Sequence, residues 1–286
     1  MTIDGKTVVI TGGNAGIGKE TAVGLASKGA HVAITARDPR RGREALDDIR
    51  ERSGSELVEV MDLDLADLSS VRSFASDYAK RHDRLDVLVN NAGLVLISRT
   101  ETVDGFETTF GVNHLGHFLL TQLLLDQIRA SAPSRIVVVS SDAHKQARKG
   151  LDFDDLNSER KYSPFGVYGK TKLANIYFAR ELARRLDSTG VTANALHPGF
   201  VASRFARDGD GGFLAEIAMT LGRPLALSPQ KGARTSVYLA SSPEVADVSG
   251  AYFYRCRQKQ PSAVARDDEA ARRLWAVSEE LVGASG

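Results

Sequence analysis

The chain alternates between short, almost wholly apolar segments and longer segments in which apolar residues recur every three or four positions. The short segments are rich in valine, isoleucine and threonine, which favour strands, and the longer ones have the period of an amphipathic helix. Strands are predicted at 6–11, 30–35, 57–62, 85–90, 135–140, 191–196 and 251–254. Helices are predicted at 16–28, 39–52, 67–81, 103–130, 168–186, 229–240 and 265–281.

Strands that are apolar on both faces and are each followed by a helix indicate a parallel sheet covered on both sides. The pattern therefore predicts a single α/β domain over residues 1–286, a doubly wound Rossmann sheet of about seven strands with helices on both faces. No proline- or serine-rich linker divides the chain. The last helix, at about 265–282, is polar and is expected at the periphery.

One segment departs from this alternation of strands and helices. Residues at about 200–228 combine several glycines with many apolar side chains and follow the sixth strand. An apolar insertion hinged at glycines is predicted to be a lid over an apolar substrate site. An amphipathic surface helix explains the pattern equally well.

Composition narrows the class of protein. The 286 residues are 42% hydrophobic and 26% charged, which is the balance of a folded globular chain. Because 37 basic and 36 acidic residues nearly cancel, no nucleic acid or anionic membrane is expected as a partner. The single cysteine excludes an internal disulfide framework. No apolar run is long enough for a transmembrane helix and no signal peptide precedes the first strand, so a cytoplasmic location is expected.

A glycine-rich turn joins the first strand to the first helix. Its sequence is TGGNAGIG over Thr11–Gly18, with Gly12, Gly16 and Gly18 in the spacing Gly-x-x-x-Gly-x-Gly. Glycine lets the backbone turn sharply and approach a pyrophosphate at the positive end of a helix. In this strand–turn–helix context the motif predicts nucleotide binding.

The end of the second strand favours NADP over NAD as the nucleotide. An acidic residue there would bind the ribose hydroxyls of NAD, whereas a basic one accommodates the 2′-phosphate of NADP. Here the chain has Ala36 and then Arg37, and Lys19 offers a second positive charge. The alternative is that both cations are solvated surface charges. Asp38 is expected to cap the helix that follows.

Two residues at the start of the fifth predicted helix suggest acid–base chemistry. Tyr168 and Lys172 are four positions apart, which places both side chains on one helix face. A nearby ammonium favours the phenolate and is expected to lower the pKa of Tyr168. The pair is therefore a candidate general acid and base, although this spacing also occurs by chance.

Together these motifs resemble those of the short-chain dehydrogenase/reductase family. The resemblance covers about residues 5–260 and places a motif at each expected strand end. The matching segments are Thr11–Gly18, Asp64-Leu65, Asn90–Gly93, Asn113, Ser140-Ser141, Tyr168-x-x-x-Lys172 and Pro198-Gly199.

The resemblance implies a role for each matching residue. Tyr168 would exchange a proton with the substrate oxygen, and Ser141, the second serine of its pair, would hydrogen-bond that oxygen. Lys172 would hold the nicotinamide ribose, and Asn113 would hold a water molecule in a proton relay. The residues implied to contact the cofactor are Gly12, Asn14, Gly16, Ile17, Gly18, Lys19, Arg37, Asp64, Leu65, Asn91, Ala92, Gly93, Tyr168, Lys172, Pro198, Gly199, Val201 and Ser203. Ser203 stands where the family often has threonine.

Within the family the chain is most similar to the branch that contains retinol dehydrogenases. That branch implies NADP(H)-dependent reduction of lipophilic aldehydes and ketones, or the reverse oxidation of alcohols, by a homodimer or homotetramer. Two alternatives remain: a non-catalytic NADP-binding regulatory protein, or a sugar-nucleotide epimerase or dehydratase. The complete set of four catalytic residues argues against the first alternative, and the glycine spacing argues against the second.

Histidines suggest no metal site. His114 and His117 are three positions apart on the predicted long helix, without a third ligand at a sensible spacing. Both are therefore interpreted as structural residues, and His197 as a packing residue. No metal is expected.

Overall fold

The computed structural model describes residues 2–200 and 227–283. In that part of the chain the strands are β1 (Thr7–Ile10), β2 (His31–Ala36), β3 (Val58–Asp62), β4 (Val87–Asn90), β5 (Ser134–Val139), β6 (Val191–Leu196), β7 (Tyr252–Tyr254) and β8 (Arg257–Lys259). The helices are α1 (Gly16–Ala26), α2 (Pro39–Ser53), α3 (Leu68–Arg81), α4 (Thr108–Phe110), α5 (Gly116–Ala130), α6 (Pro164–Arg185), α7 (Pro229–Ser241) and α8 (Asp268–Leu281). A π-helical turn (Gly111–Leu115) joins α4 to α5.

One sheet in the order β3-β2-β1-β4-β5-β6-β7-β8 forms the centre of the fold. The seven strands β1 to β7 pair in parallel, which confirms the doubly wound α/β prediction, and β8 adds an antiparallel edge. The strand order reverses between β1 and β4. In such sheets the crevice at the carboxyl ends of these two strands is where ligands bind.

Buried apolar residues form two clusters, one on each face of the sheet. The larger cluster contains residues of α3, α5, α6 and α8. The smaller contains residues of α1, α2 and α7. Helix α8 contributes Leu274 and Trp275 to the larger cluster, and Trp275 lies against Phe118 and Phe178. The final helix therefore buries one face, although its other face is polar.

The segment predicted as one helix over 103–130 is different in the structure. Helix α4 begins only at Thr108, because Gly105 has a positive φ of 83° and the Glu107 carboxylate caps the helix by accepting from Thr109 N and Phe110 N. The π-helical turn then widens the backbone at Gly111–Leu115. Hydrophobic periodicity cannot detect a single widened turn within an otherwise helical pattern.

Two further features of the structure differ from the sequence prediction. Helix α6 begins at Pro164, which is well suited to a first helical position, so that Tyr168 lies in its second turn. Strand β8 was not predicted. It pairs with β7 through a two-residue turn in which Arg255 and Cys256 both have positive φ. Such turns usually carry asparagine or glycine, and neither is present here.

No helix among the residues that the structure describes has both the length and the apolar character needed to span a bilayer.

Candidate active site

The glycine turn lies at the carboxyl end of β1, in the crevice between β1 and β4. Gly12 has a φ of 63°, a conformation that favours glycine. A Cβ on Gly18 would lie 2.4 Å from the Gly12 carbonyl oxygen, so a side chain there would push the turn and helix α1 apart. Gly13 N donates to Thr35 O over 3.2 Å, which attaches the turn to the end of β2.

The amino end of α1 fits an anionic group. Its N-cap residue, Ala15, makes no side-chain capping hydrogen bond, and its first turn contains no acidic residue. By contrast, α2, α3 and α8 are capped by the carboxylates of Asp38, Asp67 and Asp267. Helix α1 therefore presents uncapped N–H groups and the positive end of its dipole to the crevice, as pyrophosphate binding requires. The first turn of α1 contains Gly16, Ile17, Gly18 and Lys19, and Asn14 lies in the preceding turn.

The two cations predicted to select the nucleotide differ in their surroundings. Arg37 follows β2 directly, is exposed, and makes no ion pair with any residue in the described ranges. Lys19 Nζ lies 2.8 Å from a carboxylate oxygen of Asp48 on α2, so its charge is already paired. The Asp38 carboxylate accepts from Arg40 N and from Arg41 N, which confines it to the helix cap.

The loop after β4 is attached to the glycine turn by Thr11. The Thr11 hydroxyl oxygen accepts from Asn91 N over 2.8 Å and from Ala92 N over 3.0 Å. The Asn91 side chain in turn donates to the Thr11 carbonyl oxygen over 2.8 Å. A Cβ on Gly93 would lie 3.2 Å both from Asn113 Oδ1 and from Lys172 Nζ, so the loop passes close to both groups.

Asn113 lies in the π-helical turn and is fully buried. Its Oδ1 accepts from Leu94 N over 2.8 Å, and its Nδ2 donates to Leu94 O over 2.9 Å. The Nδ2 group also donates to the hydroxyl of Thr171, which donates to the carbonyl oxygen of Tyr168. The amide side chain therefore joins the loop after β4 to the turn of α6 that carries Tyr168.

Ser141, Tyr168 and Lys172 come together at the carboxyl end of β5. The hydroxyl groups of Ser141 and Tyr168 are hydrogen-bonded to each other. Lys172 Nζ lies 5.5 Å from the centre of the Tyr168 ring and donates to Val139 O over 3.2 Å. Ser140 Oγ donates to the carbonyl oxygen of Lys172 over 2.7 Å and so fixes α6 against the strand end.

The electrostatics of this group differ from the expectation that Lys172 lowers the pKa of Tyr168. Burial raises the pKa of Tyr168 to about 12, and only the hydrogen bond from Ser141 opposes it. Burial also lowers the pKa of Lys172 to about 8, which weakens the ammonium as a source of positive charge. Desolvation is the largest effect on both pKa values, because Lys172 is buried and Tyr168 is partly buried beside it. Tyr168 is thus protonated at neutral pH and can donate a proton.

The remaining predicted residues lie around this centre. Asp64 Oδ1 accepts from Ala66 N in the turn after β3, and Leu65 is buried there. Pro198 and Gly199 follow β6, where Gly199 has a φ of 86°. Val201, Ser203 and most of the lid predicted at 200–228 lie outside the described residues.

Three residues of this region were not predicted as site residues. Thr11 holds the loop after β4, Thr171 joins Asn113 to the carbonyl oxygen of Tyr168, and His117 contacts the hydroxyl of Thr11. Thr11 begins the Thr11–Gly18 segment that carries the family resemblance, but the segment gives no separate role to its hydroxyl. His117 was grouped with His114, whose Nε2 instead lies 2.9 Å from Ser278 Oγ on α8. The described residues contain no cluster of three or more possible metal ligands.

Comparisons with known proteins identify the family of this chain. Residues 6–153 match the family model for short chain dehydrogenase. The chain is 48% identical to human retinol dehydrogenase 13 over 286 residues, which cover 99% of this chain and 86% of that protein. It is 46% identical to mouse retinol dehydrogenase 12, covering 99% of this chain and 88% of that protein.

Solved structures are similar over most of the chain. One is an uncharacterized protein from Mycobacterium paratuberculosis, with 38% identity, a TM-score of 0.76, and coverage of 99% of this chain and 95% of that chain. Another is the RhlG/NADP active-site complex of Pseudomonas aeruginosa, with 27% identity, a TM-score of 0.69, and coverage of 88% and 95%. The protein belongs to the short chain dehydrogenase family of oxidoreductases and is similar over nearly its whole length to retinol dehydrogenases.

Proposed function

We propose that this protein is an NADP(H)-dependent oxidoreductase that interconverts lipophilic aldehydes or ketones and the corresponding alcohols. The observation that carries the proposal is the convergence of Ser141, Tyr168, Lys172 and Asn113 at the carboxyl edge of the sheet, beside an uncapped helix that fits a pyrophosphate. The relatives named retinol dehydrogenases favour a lipophilic substrate.

In the reductive direction each residue acts on the carbonyl oxygen or on its neighbours. A bound reduced nicotinamide would supply the hydride to the carbonyl carbon. Tyr168 donates its phenolic proton to the carbonyl oxygen as the C=O bond becomes a C–O single bond. Ser141 hydrogen-bonds the same oxygen and so holds it within reach of Tyr168. The ammonium of Lys172 stabilises the phenolate that remains on Tyr168. The Asn113 side chain holds the π-helical turn close to Lys172 through its hydrogen bonds to Leu94 and Thr171.

The coenzyme preference rests on the end of β2. Among the described residues that follow β2 directly, Ala36 is buried and apolar, and the carboxylate of Asp38 is used in capping α2. Arg37 is exposed at the same strand end. These positions favour NADP, whose 2′-phosphate pairs with a guanidinium.

The test is oxidation of NADPH or NADH by the purified protein with retinal and a panel of lipophilic aldehydes and ketones. Tyr168→Phe should lower kcat by about 10²–10⁴-fold, the usual contribution of general acid catalysis. Tyr177→Phe is the matched control, since Tyr177 lies on the same helix but donates its hydroxyl hydrogen to Val264 O, away from the site. NADPH binding without turnover of any carbonyl compound would favour a regulatory protein instead.

The proposal includes a homodimer or homotetramer. Helix α5 carries Leu123, whose side chain is 40% exposed, and a subunit contact would cover it. Light scattering of the purified protein measures the mass directly, and a monomer would contradict this part of the proposal.

A further inference from the structure

Both ring nitrogens of the buried His117 have hydrogen-bond partners. Nδ1 lies 3.2 Å from the carbonyl oxygen of Asn113, and Nε2 lies 2.8 Å from the hydroxyl oxygen of Thr11. A carbonyl oxygen can only accept, so Nδ1 carries the proton and Nε2 is the acceptor. The Thr11 hydroxyl must therefore donate its hydrogen to His117.

This tautomer determines how the Thr11 hydroxyl is oriented. With its hydrogen directed to His117, its oxygen presents both lone pairs to Asn91 N and Ala92 N, which donate over 2.8 and 3.0 Å. All hydrogen-bonding capacity of the hydroxyl is then used. The alternative acceptor for the hydroxyl hydrogen, Val89 O, lies 3.4 Å away. His117 thus sets the hydroxyl in the orientation that holds the loop after β4.

The other side of the ring supports the π-helical turn. The Nδ1–H group donates to the carbonyl oxygen of Asn113, whose side chain connects Leu94 to the turn of α6 that carries Tyr168. His117 therefore contacts both the residue that holds the Asn91–Gly93 loop and the residue that holds the catalytic helix. His117 and Thr11 are 106 residues apart in the chain.

We propose that His117 is a positioning residue that holds the Asn91–Gly93 loop for the coenzyme through Thr11 and the widened turn beside Lys172 through the Asn113 carbonyl. The inference rests on the proposed function, because the proposed function assigns this loop to coenzyme binding. The two contacts make separable contributions: the Thr11 contact acts on coenzyme affinity, and the Asn113 contact acts on turnover.

His114 provides a matched control. It lies one helical turn before His117, is equally buried, and packs against the rings of Phe110 and Phe178. Its Nε2 contacts Ser278 Oγ on α8 rather than either loop. Replacing His114 by leucine therefore removes a buried histidine from the same helix region without touching Thr11 or the Asn113 carbonyl.

The experiment compares His117→Leu, His117→Asn, His117→Gln and His114→Leu. An asparagine amide reaches the position of Nδ1 and can donate to the Asn113 carbonyl, but it does not reach Thr11. A glutamine amide oxygen reaches the position of Nε2 and can accept from Thr11, but the donor to Asn113 is lost. The dissociation constant of NADPH is measured by fluorescence titration, together with kcat and the thermal midpoint of unfolding.

The expected result is a division between affinity and turnover. His117→Leu should weaken NADPH binding about tenfold, which corresponds to about 1.4 kcal/mol, and also lower kcat. His117→Gln should restore most of the affinity with kcat still low, whereas His117→Asn should restore kcat with affinity still weak. His114→Leu should lower the thermal midpoint but change NADPH affinity and kcat by less than about twofold. Equal losses of affinity and kcat in His117→Leu and His114→Leu would overturn the inference.

Amide hydrogen exchange in the coenzyme-free protein separates this inference from the proposed function. Exchange at Asn91 and Ala92 should be faster in His117→Leu than in the wild type, and unchanged in His114→Leu. Equal exchange rates in all three proteins would overturn the link through Thr11, whether or not the wild type binds NADPH. A wild type that binds neither NADPH nor NADH would overturn the proposed function and, with it, the assignment of the loop to coenzyme.

Discussion

The ammonium of Lys172 lies one helical turn from Tyr168 on α6, 5.5 Å from the centre of its ring, in a site where burial opposes its charge. Burial lowers the pKa of Lys172 to about 8, and within the described part of the chain its ammonium donates to Val139 O. A charge held under these conditions makes the folded protein less stable, which fits the chemical role proposed for Lys172 better than a role in the fold.

Replacement of Lys172 by methionine should therefore separate stability from activity. Lys172→Met removes the cost of burying an amine while keeping a similar volume, and we expect the free energy of unfolding at pH 7 to rise by about 1–2 kcal/mol. Turnover should fall at least about 100-fold because the Tyr168 phenolate loses its counter-charge. Chemical denaturation and steady-state kinetics measure the two effects, and a less stable Lys172→Met protein would contradict this account.

The preference for NADP should depend on Arg37. Arg37→Glu replaces the exposed cation at the end of β2 by the acidic residue type that binds the ribose of NAD. We expect kcat/KM with NADPH to fall at least about tenfold and that with NADH to rise. Arg43→Glu, an exposed arginine on α2, is the control for a general change of charge. Equal effects of the two substitutions would show that only the overall charge matters.

The close contact between the glycine turn and α1 should not tolerate a methyl group. In Gly18→Ala the new Cβ would lie 2.4 Å from the Gly12 carbonyl oxygen, so the backbone must move and NADPH binding should be lost. Gly24→Ala, on the same helix, is the control, because its Cβ would meet the side chain of Val237, with the nearest methyl at 2.9 Å, and no backbone atom of the glycine turn. Fluorescence titration with NADPH distinguishes the two variants, and normal binding by Gly18→Ala would contradict the geometry.

Stability should decrease in mild acid because of buried histidines. Burial lowers the pKa of His114 to about 3, and those of His117 and His197 to about 4. Between about pH 6.5 and 4 the unfolded chain binds protons at these residues that the folded protein does not bind. The free energy of unfolding is therefore highest above pH 6.5 and falls as the pH decreases through this window.

His197→Phe tests this origin of the pH dependence. Phenylalanine keeps the stacking on Tyr252 and Tyr254 but cannot take up a proton. Denaturation at pH 7 and pH 5 should show a smaller loss of stability for His197→Phe than for the wild type. His31→Gln, at an exposed position, should leave the loss unchanged. The same loss in all three proteins would assign the acid sensitivity to other groups.

The local pattern of apolar residues and motifs along the chain was sufficient to predict most of the fold. The strands and helices of the βα units, the parallel sheet and the family membership follow from apolar periodicity and from motifs at strand ends, because these signals lie within a few neighbouring residues. The same holds for the catalytic residues as candidates: Ser141 follows β5, and Tyr168 and Lys172 share one face of α6. Their roles in catalysis stay predictions.

Tertiary structure decided the features that depend on distant residues or on burial. The π-helical turn at Gly111–Leu115 interrupts what the pattern predicted as one helix, and the Lys19 charge is paired with Asp48 of another helix. His117 was interpreted only as a structural residue, since the sequence gives no sign of its partner Thr11, which is 106 residues away in the chain. The direction of the pKa shift of Tyr168 also depends on burial, since desolvation is its largest cause. Sequence spacing records which groups are neighbours along a strand or helix, but hydrogen-bond partners and desolvation are set only when distant segments pack together.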